Sequence, residues 1–96
     1  MTVDEGKFEW DASKAESNFI KHGVTFKEAM TVFKDFGMIY SEDIEHSSTE
    51  ERQIVIGYSA HNRLLTLSVA EKDNEKIRII SARKSTPVER KQYESN

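Results

Sequence analysis

The feature that most restricts the fold lies in the second half of the chain, where three β-branched segments follow one another with short polar turns between them. Gln53 to Tyr58 carries Ile54 and Ile56 with Val55 opposite, and Leu64 to Ala70 puts Leu65, Leu67 and Val69 on one face. Lys76 to Arg83 puts Ile77 and Ile79 on one face and Ile80 on the other. Successive side chains on a strand point to opposite faces, so an apolar period of two describes strands that bury one face. Ala60-His61-Asn62-Arg63 and Asp73-Asn74-Glu75 are connections of hairpin length, and the three strands form an antiparallel meander. Such a sheet needs an apolar layer to cover it.

The first half supplies that layer. Lys7-Phe8-Glu9-Trp10 alternates polar and aromatic residues and reads as a short strand, and Asp11 has the chemistry of a helix N-cap. Ala12, Ala15, Phe19 and Ile20 form a stripe at helical spacing that ends on a C-cap glycine, Gly23. Thr25 and Glu28 form a capping box for a second helix with Phe26, Ala29, Met30 and Phe33 on one side, ending near Asp35. Met38-Ile39-Tyr40 reads as a strand, and Glu42 to Glu51 as a polar, acidic loop. Thr86, Pro87 and Glu89 supply an N-cap, an N1 proline and a capping-box acid for a last helix ending near Glu94. The order β-α-α-β-β-β-β-α predicts an α+β fold, with helices packed on one face of a twisted, mostly antiparallel sheet. Residues 1–96 form a single domain without repeat or linker.

Charge and composition narrow the function. The chain has no cysteine, which excludes disulfides, thiolate metal sites and a cysteine nucleophile. No apolar run is long enough to span a bilayer and the N-terminus lacks a signal-peptide core, so the expected compartment is the cytoplasm, with no membrane partner. A net charge of −3 weighs against a chain that binds nucleic acid on charge alone, and no recognition helix marks a DNA-binding regulator. The charge is unevenly spread: residues 1–50 carry a net −6 and residues 51–96 a net +3, the latter with all five arginines. Arginine is the side chain suited to bidentate phosphate contact.

The histidines at 22, 46 and 61 share no metal-ligand spacing, so neither a metal nor another cofactor is expected. No glycine-rich phosphate loop is present, and the sparse histidines suggest no Ser-His-Asp order. RNA offers a route that needs neither, because its 2′-hydroxyl attacks the adjacent phosphate. The protein then has only to move two protons and place cations at the phosphate. Lys21-His22-Gly23 reads either as a capped helix end, with cations at the negative end of the dipole, or as a source of proton transfer. By period two, Arg83 falls on the side of Ile77, Ile79 and Ser81. It either pairs with Glu89 or Asp11 or emerges at the edge of a concave face to bind phosphate.

Phe8-Glu9-Trp10-Asp11, Lys14, Asn18, Lys21-His22-Gly23-Val24, Phe26, Glu28-Ala29, Val32-Phe33 and Asp35 run in an order that resembles the BrnT toxins of type II toxin–antitoxin systems. The series continues with Glu51-Arg52, Ile56-Gly57, Arg63-Leu64-Leu65, Ile77-Arg78-Ile79-Ile80-Ser81-Ala82-Arg83, Glu89-Arg90 and Tyr93, over nearly the whole chain. The resemblance implies a RelE-like fold and a metal-independent endoribonuclease that arrests growth. It also implies a BrnA-like ribbon-helix-helix antitoxin in a heterotetramer, with operator DNA reached only through that antitoxin. By resemblance the catalytic candidates are Lys21, His22, Glu51, Arg63 and Arg83. Arg63 and Arg83 would serve the phosphate, Lys21 or His22 proton transfer or charge stabilisation, and Glu51 the base. RNA contacts fall to Arg52, Arg78, Lys84 and Arg90, with Arg52, Arg63, Arg78 and Arg83 expected in one cationic concavity. Lys72, Ser85 and Pro87-Val88 depart from the family pattern. The rival reading is a catalytically inactive module that keeps only antitoxin contact.

Overall fold

The meander is the centre of a larger mixed sheet in a computed structural model that describes residues 1–46, 50–72 and 75–96. In chain order the elements are β1 (Thr2–Glu5), β2 (Phe8–Asp11), α1 (Ala12–His22), α2 (Phe26–Thr31), β3 (Ile39–Glu42), β4 (Gln53–Tyr58), β5 (Leu64–Glu71), β6 (Ile77–Lys84) and α3 (Pro87–Glu94). Short 3-10 turns follow α2 (Val32–Lys34) and β3 (Ile44–His46). The spatial strand order is β1-β2-β6-β5-β4-β3. All neighbours are antiparallel except β2 and β6, which run parallel at Phe8↔Ile77 and Glu9↔Arg78. The fold is α+β, as the patterning predicts. No helix among the described residues is long and apolar enough to cross a membrane. The expected turn at Asp73-Asn74 and residues 47–49 of the expected loop lie outside the described residues, and Glu42 belongs to β3.

α1 and α2 cover one face of the sheet. Trp10 and Phe26 meet edge to face with ring centroids 5.9 Å apart, over Val55, Leu65, Leu67, Val69, Ile79 and Ala82. Such an aromatic pair adds directional packing to the buried area. α2 is tied down by polar contacts as well. Thr25 caps it, accepting from the Glu28 amide, but the expected reciprocal bond from Glu28 is not made among the described contacts, because that carboxylate is turned toward the β4–β5 turn. At the far end of β4, a Cβ on Gly57 would stand 2.9 Å from Val32 Cγ1 and 3.0 Å from Met38 Cβ. Only glycine lets the strand lie this close.

Four further features differ from the sequence expectation. First, Thr2–Glu5 is a strand, paired with β2 through a turn in which Gly6 has φ +67°. Second, the stripe on α1 holds only in part: Ala15 packs against the core, but Phe19 and Ile20 are exposed and the buried residue is Asn18. β2 leaves β6 after two paired positions, so the outer edge of β6 lacks a strand beyond Arg78. Asn18 closes it. Its Nδ2 donates to the Ala82 carbonyl (2.8 Å) and to the Val24 carbonyl (3.0 Å), and its Oδ1 accepts from the Ala82 amide (3.1 Å). Buried backbone groups need such partners, and a side-chain amide matches a peptide group donor for donor.

Third, β6 carries a bulge. Val69 pairs with Ile79 and Leu67 with Ala82, so three residues of β6 answer two of β5, and Ile80 is the extra one. A bulge of this kind reverses the alternation beyond it. Ile79 and Ala82 therefore both face the helices, and Arg83 stands on the opposite face from Ile77 and Ile79, not on their side as a strict period of two requires. Fourth, the helices do not share one face. α3 lies against the other side, where Glu89 reaches Thr66 and Arg83 and where Tyr93 meets Tyr58 with ring centroids 5.4 Å apart. Thr86, Pro87 and Glu89 form the full capping box that the sequence predicts.

Candidate active site

α3 covers only part of the second face. Beyond it, β4, β5 and β6 leave an open groove of about 410 Å³, roofed on one side by the segment after β3. Alternation puts Arg52, Ile54, Thr66 and Ser68 on this floor, and the bulge adds Ile80, Ser81 and Arg83. Asp43, Glu45 and His46 form the opposite wall. A second, shallower depression shares Ile80 and Ser81 with the groove and continues to α1, where Lys14, Ser17, Asn18, Lys21 and His22 line it. The bulge is thus the saddle between two recesses, one lined by Arg52 and Arg83 together with Asp43 and Glu45, the other bordered by Lys14 and Lys21.

Arg83 is held in place by Glu89. Nη1 donates to Oε1 (2.7 Å) and Nη2 to Oε2 (2.9 Å), a bidentate pair in which the guanidinium is 40% exposed and the carboxylate 18%. Arg83 and then burial act on the Glu89 carboxyl, with bonds from the Thr86 amide and Thr66; the net effect lowers it to about 2. Glu89 in turn holds the Arg83 guanidinium above its ordinary value. The sequence pairing of Arg83 with Glu89 is therefore present, yet the arginine still borders the groove. Guanidinium has five N–H donors, and the carboxylate occupies two of them.

His46 and Asp43 were not among the sequence candidates. His46 Nδ1 lies 3.0 Å from Asp43 Oδ2 and 3.2 Å from Oδ1, with the imidazole largely exposed and the carboxylate 11% exposed. The Asp43 amide donates to the Arg52 carbonyl (2.8 Å), which fixes the pair to the start of β4. The one hint in the sequence is the spacing of Asp43 and His46, three residues apart, which suits a carboxylate capping the turn it precedes.

The remaining candidates do not converge. Arg63 sits at the β4–β5 turn and faces the α2 side: Nε donates to Glu28 Oε2 (2.9 Å), Nη2 pairs with Glu28 Oε1, and Nη2 also reaches the Gly23 carbonyl (3.2 Å). The Glu28 carboxylate is 4% exposed, accepts from Ser59 Oγ as well, and is held below the usual carboxylate range first by its bond from Arg63. The expected single concavity of four arginines is therefore not formed, because Arg63 is committed to α2. Arg78 shares the open face but pairs with Glu9 (Nη2 to Oε2, 2.9 Å). Glu50, lowered chiefly by a bond from Lys72, feels both Arg52 and Arg78. Glu51 is exposed and does not line the groove. Lys84 pairs in register with Leu65 and belongs to the helix-covered side, while Arg90 donates to the Tyr58 hydroxyl (3.2 Å) from α3. Lys21 and His22 flank the saddle.

Comparison with curated proteins gives no match. A family model does match, over residues 10–89, and it describes the ribonuclease toxin BrnT of type II toxin–antitoxin systems. The matched span runs from Trp10 in β2 to Glu89 in α3 and so contains β3 to β6, the groove and the Arg83–Glu89 clamp. The chain belongs to the BrnT family of ribonuclease toxins, which act in type II systems beside a protein antitoxin.

Proposed function

We propose that the groove cuts RNA by attack of the strand's own 2′-hydroxyl on the adjacent phosphate, without a metal ion, and that this cleavage arrests growth. The observation that carries the reading is that Arg52 and Arg83 line one groove with the hydroxyls of Thr66, Ser68 and Ser81, continuous across Ile80 and Ser81 with Lys21 and His22. Arg83, fixed by Glu89 before substrate arrives, would stabilise the charge that develops on the phosphorane without reorganising, with Arg52 beside it in the groove. Lys21 or His22 stands on the other side of the saddle, where it would protonate the leaving 5′ oxygen. Ser68 and Ser81 offer hydroxyls to phosphate or ribose. Arg78 would extend the phosphate track, and we leave Arg63, Lys84, Glu51 and Arg90 outside the reacting centre.

The antitoxin is taken to be a BrnA-like ribbon-helix-helix protein that covers the groove and carries the complex to operator DNA. A short synthetic RNA incubated with the purified protein in EDTA tests the reading. Products ending in 2′,3′-cyclic phosphate and 5′-hydroxyl are expected. Intact RNA, or cleavage that needs added divalent metal, overturns it.

A further inference from the structure

We propose that His46, oriented by Asp43, takes the proton from the attacking 2′-hydroxyl. The inference rests on the ribonuclease reading of the groove. Four observations lead to it. His46 lines the same recess as Arg52 and Arg83, so a phosphate held there lies beside an imidazole. Its Nδ1 is engaged by the Asp43 carboxylate, which can only accept, so the ring hydrogen sits on Nδ1 and Nε2 is the basic atom. Asp43 is itself fixed, through its backbone bond to Arg52, to the strand that supplies the phosphate cation. Finally, the 3-10 turn at Ile44–His46 accounts only for the bond from the His46 amide to Asp43 Oδ1 (3.3 Å). Capping that turn does not require an imidazole, whose contact with the same carboxylate is a separate one.

Among the described residues, the charged groups that line the groove with the ring are Asp43 and Glu45 from its own segment and Arg52 and Arg83 from the floor. The step balances as follows. Nε2 accepts the 2′-hydroxyl proton as the 2′ oxygen bonds to phosphorus. The bond from phosphorus to the 5′ oxygen breaks, and that oxygen takes a proton from the ammonium of Lys21 or the imidazolium of His22. Both protein groups return to their starting states by exchange with water. Asp43 is then a positioning residue: it sets the tautomer and the ring's orientation and stabilises the imidazolium that forms.

The test uses the full chain and a short RNA. His46→Ala is expected to lower kcat by about a hundredfold or more, the range for loss of a general base, with KM changed little. Free imidazole in the buffer is expected to restore part of the rate to His46→Ala but not to His46→Gln, whose side chain fills the space. Asp43→Asn, which can still cap the turn, is expected to lower kcat about tenfold or more with the fold intact. A His46→Ala protein that cuts at the wild-type rate overturns the inference. So does a folded, slow His46→Ala protein that imidazole cannot rescue, and, should the alanine variant fail to fold, so does a His46→Gln protein that cuts at the wild-type rate. If the wild-type protein leaves the RNA uncut, the ribonuclease reading itself falls and takes this step with it. Cleavage by the wild type together with an indifferent His46 removes the histidine alone.

Discussion

Arg63 and Arg83 are gripped in the same way, each by both oxygens of one glutamate, yet they belong to different parts of the molecule. Around Arg63 the groups that its guanidinium bonds are structural. Glu28 is 4% exposed, Ser59 shares it, and the second reach of the guanidinium is to the carbonyl of a helix cap. That cluster fastens α2 to the β4–β5 turn, with Ala60 adding a bond from its amide to Thr31 Oγ1 (2.8 Å). Around Arg83 one side is the helix cap at Glu89 and the other is open groove. A bidentate ion pair therefore says nothing by itself about role. What decides is whether the guanidinium still has a free side, and which groups stand on it.

Three perturbations break or sharpen the contrast. The largest effect is expected from Arg83→Ala, which removes a phosphate cation from a preorganised site. RNA cleavage should fall by about a hundredfold or more, equivalent to about 3 kcal/mol of transition-state stabilisation, while the far-ultraviolet spectrum is retained. Unaltered cleavage would place Arg83 with Arg63, as a purely structural residue. Next in size is Glu28→Ala. It strands Arg63 against a buried wall and is expected to cost about 3 kcal/mol in urea unfolding, with cleavage per folded molecule unchanged. Unchanged stability would show the Arg63 cluster to be incidental.

The smallest effect is the acid response of the α3 clamp. Glu89 is lowered from 4.5 to about 2 in the folded protein. A depressed carboxyl contributes stability above its unfolded value, and that contribution is lost as pH falls through the folded value. The window here runs from about pH 4.5 down to about pH 2, and the loss is about 2 kcal/mol once screening is allowed for. Glu89→Gln should be less stable at neutral pH and should flatten the curve across that window. A variant with the wild-type slope would assign the acid response to other carboxylates.

Most of the sheet was legible in the sequence, because alternation of apolar residues is a local property and Ile54 to Tyr58, Leu64 to Ala70 and Ile77 to Arg83 display it without help from distant residues. The helix caps at Asp11, Thr25 and Thr86 were legible for the same reason. β1 was not, since Thr2-Val3-Asp4-Glu5 contains one apolar side chain and becomes a strand only by pairing with β2. The side taken by Arg83 was misread because counting by twos is correct until a residue is inserted, and Ile80 is inserted without any mark in composition. The stripe on α1 failed differently: the helix docks against a strand edge through Asn18, so the residues with the highest hydrophobicity are not those in contact. Of the groove, the arginines were found by residue type. The histidine was missed because Asp43 and His46 lie in an acidic stretch whose place beside Arg52 depends on the assembled sheet.

The Asn18 clamp has a consequence for how these molecules behave in a crowd. An exposed strand edge invites another chain to add a strand, which is the first step in many aggregation pathways. At Ala82 both the amide and the carbonyl that would recruit such a chain are already occupied by a side chain from the protein's own helix. Replacing that asparagine with leucine would supply apolar surface of similar size and still leave a two-point docking template uncovered. Loss of solubility at high concentration, ahead of any loss of melting temperature, is the behaviour to expect from a β6 edge unmasked in this way.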